Sequence, residues 1–246
     1  MSMRLRRVTE HIKQQNWFAI GVDFIIVVVG VLLAFQITAW NERRLEFDRL
    51  DSKLAATQLE MRENLDRLAT VDATLNTQGE QLAALRAMLA EDSARISESE
   101  LNPLIWNAVP VYSLNLRRGA LEMLQSSAIF TRTATPALID QIERWEEVFS
   151  DANRAQSDCL NSRDNLLNPY IIENFPVGSI SRSAPGGANY IAPSGFPIDR
   201  SALGREFDGL LVARQICFLQ DKASIETLSN ITRRIIELIS EERMQH

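Results

Sequence analysis

"FAIGVDFIIVVVGVLLAFQITAW", residues 18–40, runs for 23 positions with Asp23 as its one ionisable side chain. A helix of that length rises about 35 Å, enough to cross a hydrocarbon core of about 30 Å with some tilt. Trp17 and Trp40 bracket the run, where amphipathic rings favour the membrane–water interface. A cleaved signal peptide is the main rival. The apolar run is long for one, and Ile37-Thr38-Ala39 is a poor small-residue cleavage site. A buried helix of a soluble protein is disfavoured by the absence of a polar face. Residues 17–40 are therefore expected to form a transmembrane helix, and the lipid bilayer is the first expected partner.

Charge on either side of the span sets the expected orientation. Arg4, Arg6, Arg7 and Lys13 precede it, and Arg43, Arg44, Arg49 and Lys53 follow closely, so the positive-inside count is nearly a tie. The second group is mixed with Glu42, Glu46, Asp48 and Asp51, whereas the first tail has no acidic cluster. The expectation is a cytoplasmic basic tail over residues 1–16. The chain would then pass once through a bacterial inner membrane and place residues 41–246 in the periplasm. The formal net charge of the chain is −6, with residues 1–16 at +3 and residues 41–246 at −8. An acidic body does not suggest a nucleic-acid partner.

Asp23 stands six residues into the run, where an acid costs less than the about 2.5–3.5 kcal/mol of the bilayer centre. On a helical wheel Asp23, Gly30 and Ala34 fall within roughly 20° of one line. Gly30-x-x-x-Ala34 is a small-xxx-small pair that permits close helix approach. The stripe reads either as a contact face, for self-association or for a partner span, or as a tolerated acid beside incidental small residues.

The segment "GVDFIIVVVGVLLAFQITAWNERR" (21–44) resembles the N-terminal signature of a family of uncharacterised bacterial single-pass membrane proteins, a domain of unknown function. Members carry a Gly-acid-hydrophobic run, then Gly-Val-Leu-x-Ala, then Trp-Asn-Glu. The usual acid is Glu, so Asp23 is a conservative departure. "LEMLQSSAIF" (121–130) and "PALIDQIERW" (136–145) are similar to the family's second motif, where a Gly commonly stands in place of Ala128. The resemblance covers most of residues 17–150. It implies a membrane anchor with a helical outer domain, and no activity.

Beyond Trp40 the helical pattern continues. Phe47, Leu54, Met61, Leu68, Leu75, Leu82 and Leu89 recur every seven residues. The companion row is patchier, with Leu50, Leu65, Val71 and Leu85 apolar but Thr57, Gln58, Gln78 and Gly79 not. This suits a long helix over residues 41–92 packed on helices of its own chain, rather than a two-stranded coiled coil. Gly79 is the expected kink. Residues 93–116 read as a connection with one short helix, interrupted by Pro103 and Pro110. A short helix is expected at 117–128. Thr135-Pro136 then starts a long helix, Thr as cap and Pro in the first turn. Its seam is Leu138, Ile142, Trp145, Phe149, Ala152, Gln156, Cys159, Leu166 and Tyr170, and Asn168-Pro169 bends or frays its end. Residues 175–201 hold four of the eight prolines and read as a long loop. A last helix over 203–243 presents Leu210, Cys217, Leu228, Ile231, Ile235 and Leu238 on one face. The fold class is all-α: one N-terminal transmembrane helix continuing into an elongated soluble helical bundle.

Cys159 and Cys217 both fall on apolar seams. In an oxidising compartment they are expected to form a disulfide that pairs the last two long helices antiparallel, with Leu166 toward Leu210 and Phe149 toward Leu228. The other reading is two buried thiols acting as small hydrophobes. A search for chemistry finds no catalytic residues and no metal ligands. The two histidines, His11 and His246, lie in the terminal tails, and no zinc spacing or Gly-x-x-x-x-Gly-Lys phosphate loop occurs. No cofactor is expected. Glu122, Ser126 and Ser127, near one face of a short helix, are candidate ligand contacts or groups that satisfy local backbone. Arg182 and Tyr190 are candidate partner contacts in the long loop.

The expected function is that of a membrane-anchored, non-enzymatic interaction or scaffold protein, oligomerising or docking a membrane-protein partner through its span. The alternative is a ligand-sensing periplasmic module that signals through a separate membrane partner.

Overall fold

The computed structural model describes residues 17–92, 97–182, 198 and 200–245. The basic tail 1–16, the side chain of Trp17, both histidines and Tyr190 lie outside the described residues. The elements are helical throughout, and no strand occurs among the described residues. The chain divides into two units, Met1–Ser52 and Lys53–His246, with the boundary inside the first helix.

Helix α1 is Trp17–Asp92. In the first unit its apolar part reaches a mean hydropathy of 2.4, and none of that window is buried against the rest of the chain. Phe24 and Phe35 are each 69% exposed. This segment is long and apolar enough to span a membrane. At its end the Arg44 guanidinium lies 6.0 Å from the centre of the exposed Trp40 ring, a cation–π arrangement.

The second unit is built on three long helices: α1 from Lys53, α5 (Pro136–Ser162) and α8 (Arg205–Gln245). Helix α8 runs antiparallel to both others. Against α1, Gln58 Nε2 donates to Ile236 O at 3.2 Å, Lys222 Nζ to Asn76 Oδ1 at 2.6 Å and Arg86 Nε to Asp208 Oδ1 at 2.8 Å. Against α5, Trp145 Nε1 donates to Thr232 Oγ1 at 2.9 Å. Cys159 and Cys217 form a disulfide with Cα atoms 5.8 Å apart. The antiparallel pairing expected from the cysteines is present.

The α1 seam is buried as its heptads require: Leu54, Met61, Leu68, Leu75 and Leu82 are at most 2% exposed. Thr57 and Asn64, polar members of the companion row, are fully buried. Helix α1 runs through Gly79 without interruption. A Cβ at Gly79 would meet nothing within 4 Å, so neither crowding nor strain demands a break there.

The seam of α5 holds from Leu138 through Ile142, Trp145, Ala152, Gln156 and Cys159, all buried, and then changes phase. Leu166 is 55% exposed while Leu167 is buried, so Leu166 does not turn toward Leu210. The cause is a π-helical turn, Arg163–Leu167, in which Asn168 N–H donates to Arg163 O. One extra residue in that turn moves the buried face on by one position. Pro169 accounts for the turn, since it has no N–H and its ring clashes with the carbonyl four residues back in a regular helix. The helical path therefore continues as α6 (Asn168–Asn174) instead of fraying at Asn168-Pro169. Tyr170 is half-buried and stacks on Phe207 at 5.8 Å.

On α8 the centre of the buried face is Phe207, Leu211, Arg214, Phe218, Asp221, Ile225, Leu228, Thr232, Ile235, Ile239 and Glu242. Of the expected face, Leu228, Ile231, Ile235 and Leu238 are buried, but Leu210 and Cys217 are half-buried flanks. The heptad is regular, yet two ion-bearing residues, Arg214 and Asp221, occupy seam positions and hide its phase from hydropathy.

Between α1 and α5 the chain forms α2 (Glu98–Ala108), then an irregular strap, Val109–Arg118, then α3 (Gly119–Gln125) and α4 (Ala128–Thr133). Pro103 lies inside α2 and does not interrupt it; the break comes at Pro110. The single helix expected at 117–128 is two. Ser127 takes an extended backbone, and Ser126 Oγ bonds Met123 O at 2.9 Å, competing with helical continuation. Thr135 is the N-cap residue of α5 and Pro136 opens its first turn, but the Thr135 hydroxyl makes no capping bond. Its backbone N–H instead donates to Glu242 Oε1 at 2.6 Å. Within the loop expected at 175–201, Val177–Ser181 is a short helix, α7, and Arg200–Leu203 is a 3-10 turn that precedes α8.

Candidate functional site

Within the apolar segment of α1, Asp23, Gly30 and Ala34 are all exposed on the helix surface. A Cβ on Gly30 would meet nothing within 4 Å, so intramolecular packing does not require a glycine there. Thr38, slightly further round, donates its hydroxyl to Ala34 O at 2.9 Å, a local bond that satisfies the polar group inside an apolar segment. The stripe is open along its length.

In the second unit the polar residues of α1 converge on one short stretch of backbone. Glu60 accepts from Ala120 N and Leu121 N, both at 3.0 Å. This places a carboxylate at the N-terminus of α3, where orphan N–H groups favour negative charge. Asn64 Nδ2 donates to Arg117 O at 2.7 Å, and Asn64 Oδ1 accepts from Arg117 N at 2.8 Å. Thr57 Oγ1 donates to Ala120 O at 3.1 Å and Arg67 Nη1 to Asn115 O at 2.6 Å. Thr57 and Asn64 interrupt the apolar companion row because they dock the strap and the start of α3. An irregular segment against a core needs its backbone groups satisfied, and side chains of the flanking helix satisfy them.

The other end of the strap is held from α8 and α5. Arg214, 4% exposed, donates from Nε to Ala108 O at 3.0 Å and from Nη2 to Pro110 O, with its guanidinium 4.3 Å from the Phe218 ring centre. Gln156 Nε2 donates to Tyr112 O. Two turns along α8 from Arg214 lies Asp221, 1% exposed. Neither of its oxygens has a hydrogen-bond partner among the described residues, and the same holds for Arg214 Nη1 and the Tyr112 hydroxyl. Tyr112 and Asp221 thus stand near one another without a closed hydrogen bond. Burial pushes the Asp221 carboxyl up to about 6, against the pull of the Tyr112 hydroxyl and the Arg214 cation. Burial pushes Arg214 down to about 10, which leaves it charged at neutral pH. The Tyr112 phenol is pushed upward, first by burial and then by the Asp221 charge.

The candidate contacts in the second motif are not gathered at one point. Glu122 is exposed and pairs with Arg118 at 3.3 Å. Ser126 bonds local backbone, and Ser127 is the buried N-cap residue of α4 without a side-chain capping bond. A cavity of about 170 Å³ beside them is lined by Gln125, Phe130, Thr131, Ile139, Ile142 and Glu143, and by none of these three. Arg182 is exposed at the end of α7 and donates to Ser179 Oγ at 3.1 Å. Among the described residues no group of three or more His, Cys, Asp or Glu is placed to hold a metal ion.

Arg214, Asp221, Glu60 and Asn64 were not singled out by the sequence reading. For Arg214, Asp221 and Asn64 the signal is a polar residue at a position that a regular heptad reserves for an apolar one; Glu60 stands beside these rows and carries no such signal. No protein-family model, curated protein or solved structure matches the chain.

Proposed function

We propose that the protein is a membrane-anchored, non-enzymatic interaction or scaffold protein. It sits in a bacterial inner membrane with residues 1–16 in the cytoplasm and the helical body in the periplasm. The observation that carries this reading is the open stripe on the span: Gly30 gains nothing from its own chain, yet a glycine in a helix interior costs about 1 kcal/mol relative to alanine. Close approach of another helix supplies a reason for it. The resemblance of residues 21–44 to a single-pass family supports the anchor.

In a bacterial reporter of span association, Gly30→Leu and Ala34→Leu are expected to lower the signal several-fold, on the order of 1 kcal/mol of packing. An unchanged signal in both would remove the contact face. Orientation is tested separately. Protease added to right-side-out spheroplasts is expected to digest the body and leave a small membrane fragment, whereas a fully protected body would reverse the topology.

A groove between α1 and α8 favours a second reading, a ligand-sensing module that signals through a separate membrane partner. It has a volume of about 440 Å³, with Asp72, Lys222, Glu226 and Arg233 among its lining residues. A small molecule that co-purifies with the body and protects Lys222 from acylation would support sensing over scaffolding.

A further inference from the structure

The strap Val109–Arg118 has no regular structure and is fastened at both ends by side chains of the three long helices. Tyr112 has its carbonyl held by Gln156, but its side chain is placed differently. There the Tyr112 hydroxyl, Arg214 Nη1 and both Asp221 oxygens are buried together, and none of them is bonded among the described residues. A buried carboxylate left without hydrogen bonds is costly, and its neutral form is much less so. The neighbouring groups do not remove that cost. From α8 come Arg214, already committed to Ala108 O and Pro110 O, and Lys222, whose exposed ammonium is bonded to Asn76. From the π turn after α5 comes Arg163, paired with Asp164 at 2.8 Å and acting on Arg214. From α5 and α1 the layer meets neutral amides. The Cys159–Cys217 bridge sets Gln156 level with Asp221, and the Asn76–Lys222 bond sets Gln78 there, with a buried Oε1 that also lacks a partner. The nearest α1 carboxylates, Asp72 and Glu80, line two separate surface grooves instead.

We infer that this layer is an acid-responsive latch on the strap: proton uptake by the Asp221 carboxylate tightens the docking of Val109–Arg118, and proton loss loosens it. The direction follows from linkage. Asp221 under the docked strap holds its proton up to about pH 6, against an ordinary value of 3.8 once solvated. The docked state therefore binds a proton that the open state releases. Docking is at its strongest below the ordinary carboxyl range and weakens as pH rises through about 6. The difference between the two values corresponds to a change in the opening equilibrium on the order of 100-fold. Above that window the opening constant is flat again.

Hydrogen–deuterium exchange of the full chain in nanodiscs, from about pH 4 to about pH 8 and corrected for intrinsic exchange, reads this opening. The expected result is strap amides, that of Arg117 among them, opening on the order of 100-fold more often at the upper limit, with a midpoint near 6. Asp221→Asn, neutral at every pH, is expected to stay protected throughout and lose the dependence. Tyr112→Phe removes a group that favours the carboxylate, so its midpoint is expected to move upward. A wild-type strap with no midpoint in this range, or Asp221→Asn with the wild-type dependence, would overturn the latch. If Asp221→Asn does not fold, the wild-type midpoint and the upward shift in Tyr112→Phe decide it; a Tyr112→Phe midpoint that stays or falls counts against it.

Discussion

Reducing the Cys159–Cys217 disulfide is expected to lower the unfolding free energy of the body by about 4 kcal/mol. The bridged cysteines are 58 residues apart, so the closed loop removes a large number of conformations from the unfolded chain. Its loss acts mainly through the unfolded ensemble. Helices α5 and α8 remain in contact through Leu138, Ile142, Trp145, Leu228 and Ile235, all buried. Helical content before the transition is therefore expected to persist while the transition moves to lower denaturant. Denaturant unfolding with and without reductant measures the shift, and the Cys159→Ser/Cys217→Ser double variant should coincide with the reduced wild type. Coincident midpoints for oxidised and reduced protein would show that the bridge does not constrain the unfolded state.

Trp145→Ala is expected to cost about 4 kcal/mol, within the range for removing a large aromatic side chain from a core. Trp145 is 0% exposed, stacks on Phe149 at 5.1 Å between ring centres and donates from Nε1 to Thr232 Oγ1 at 2.9 Å. The Thr232 hydroxyl passes its own proton back to Leu228 O at 2.7 Å, which leaves its lone pair for the indole. Two further variants separate packing from hydrogen bonding. Trp145→Phe keeps most of the apolar surface and is expected to cost about 2 kcal/mol. Thr232→Val keeps the volume but leaves a buried indole N–H unpaired, for about 1–2 kcal/mol. Equilibrium unfolding of the three variants checks the order, Ala worst and Val mildest. A Thr232→Val variant as damaging as Trp145→Ala would mean that the hydrogen bond, not the ring volume, holds α5 to α8.

Where apolar residues recur at helical spacing, the sequence reading and the structure agree. Leu54, Met61, Leu68, Leu75 and Leu82 are buried on the row of sevens that their spacing defines. The seam from Leu138 to Cys159 placed the bridged cysteine correctly, because burial of a helix face is a local property of sequence period. Agreement ends where one residue shifts the phase. Asn168-Pro169 predicts a bend or fraying, but the chain absorbs the proline as a π turn and buries Leu167 in place of Leu166. Local sequence states that a regular turn is forbidden at Pro169; it does not state whether the helix stops or widens. Neighbouring apolar contacts, Ile171 and Tyr170 against Phe207 among them, reward the widened path.

The sequence by itself determined the all-α class, an apolar stretch long enough to span a membrane and the buried faces of the long helices; of the two readings it left for Cys159 and Cys217, the structure decided for the bond and for the antiparallel pairing that goes with it. The first three depend on periodicity or on apolar length, quantities that a linear pattern carries. Only the tertiary structure decided what the polar seam residues are for. Thr57, Asn64, Arg214 and Asp221 look like defects in a heptad, since hydropathy scores a side chain without its partners. For Thr57, Asn64 and Arg214 the partners are backbone groups of the strap and its flanks, 53 to 106 residues away in sequence, and Asp221 lies buried beside Tyr112 of the same strap. A buried polar group is tolerated or costly according to what stands within about 3 Å of it, and that distance exists only after the chain has folded.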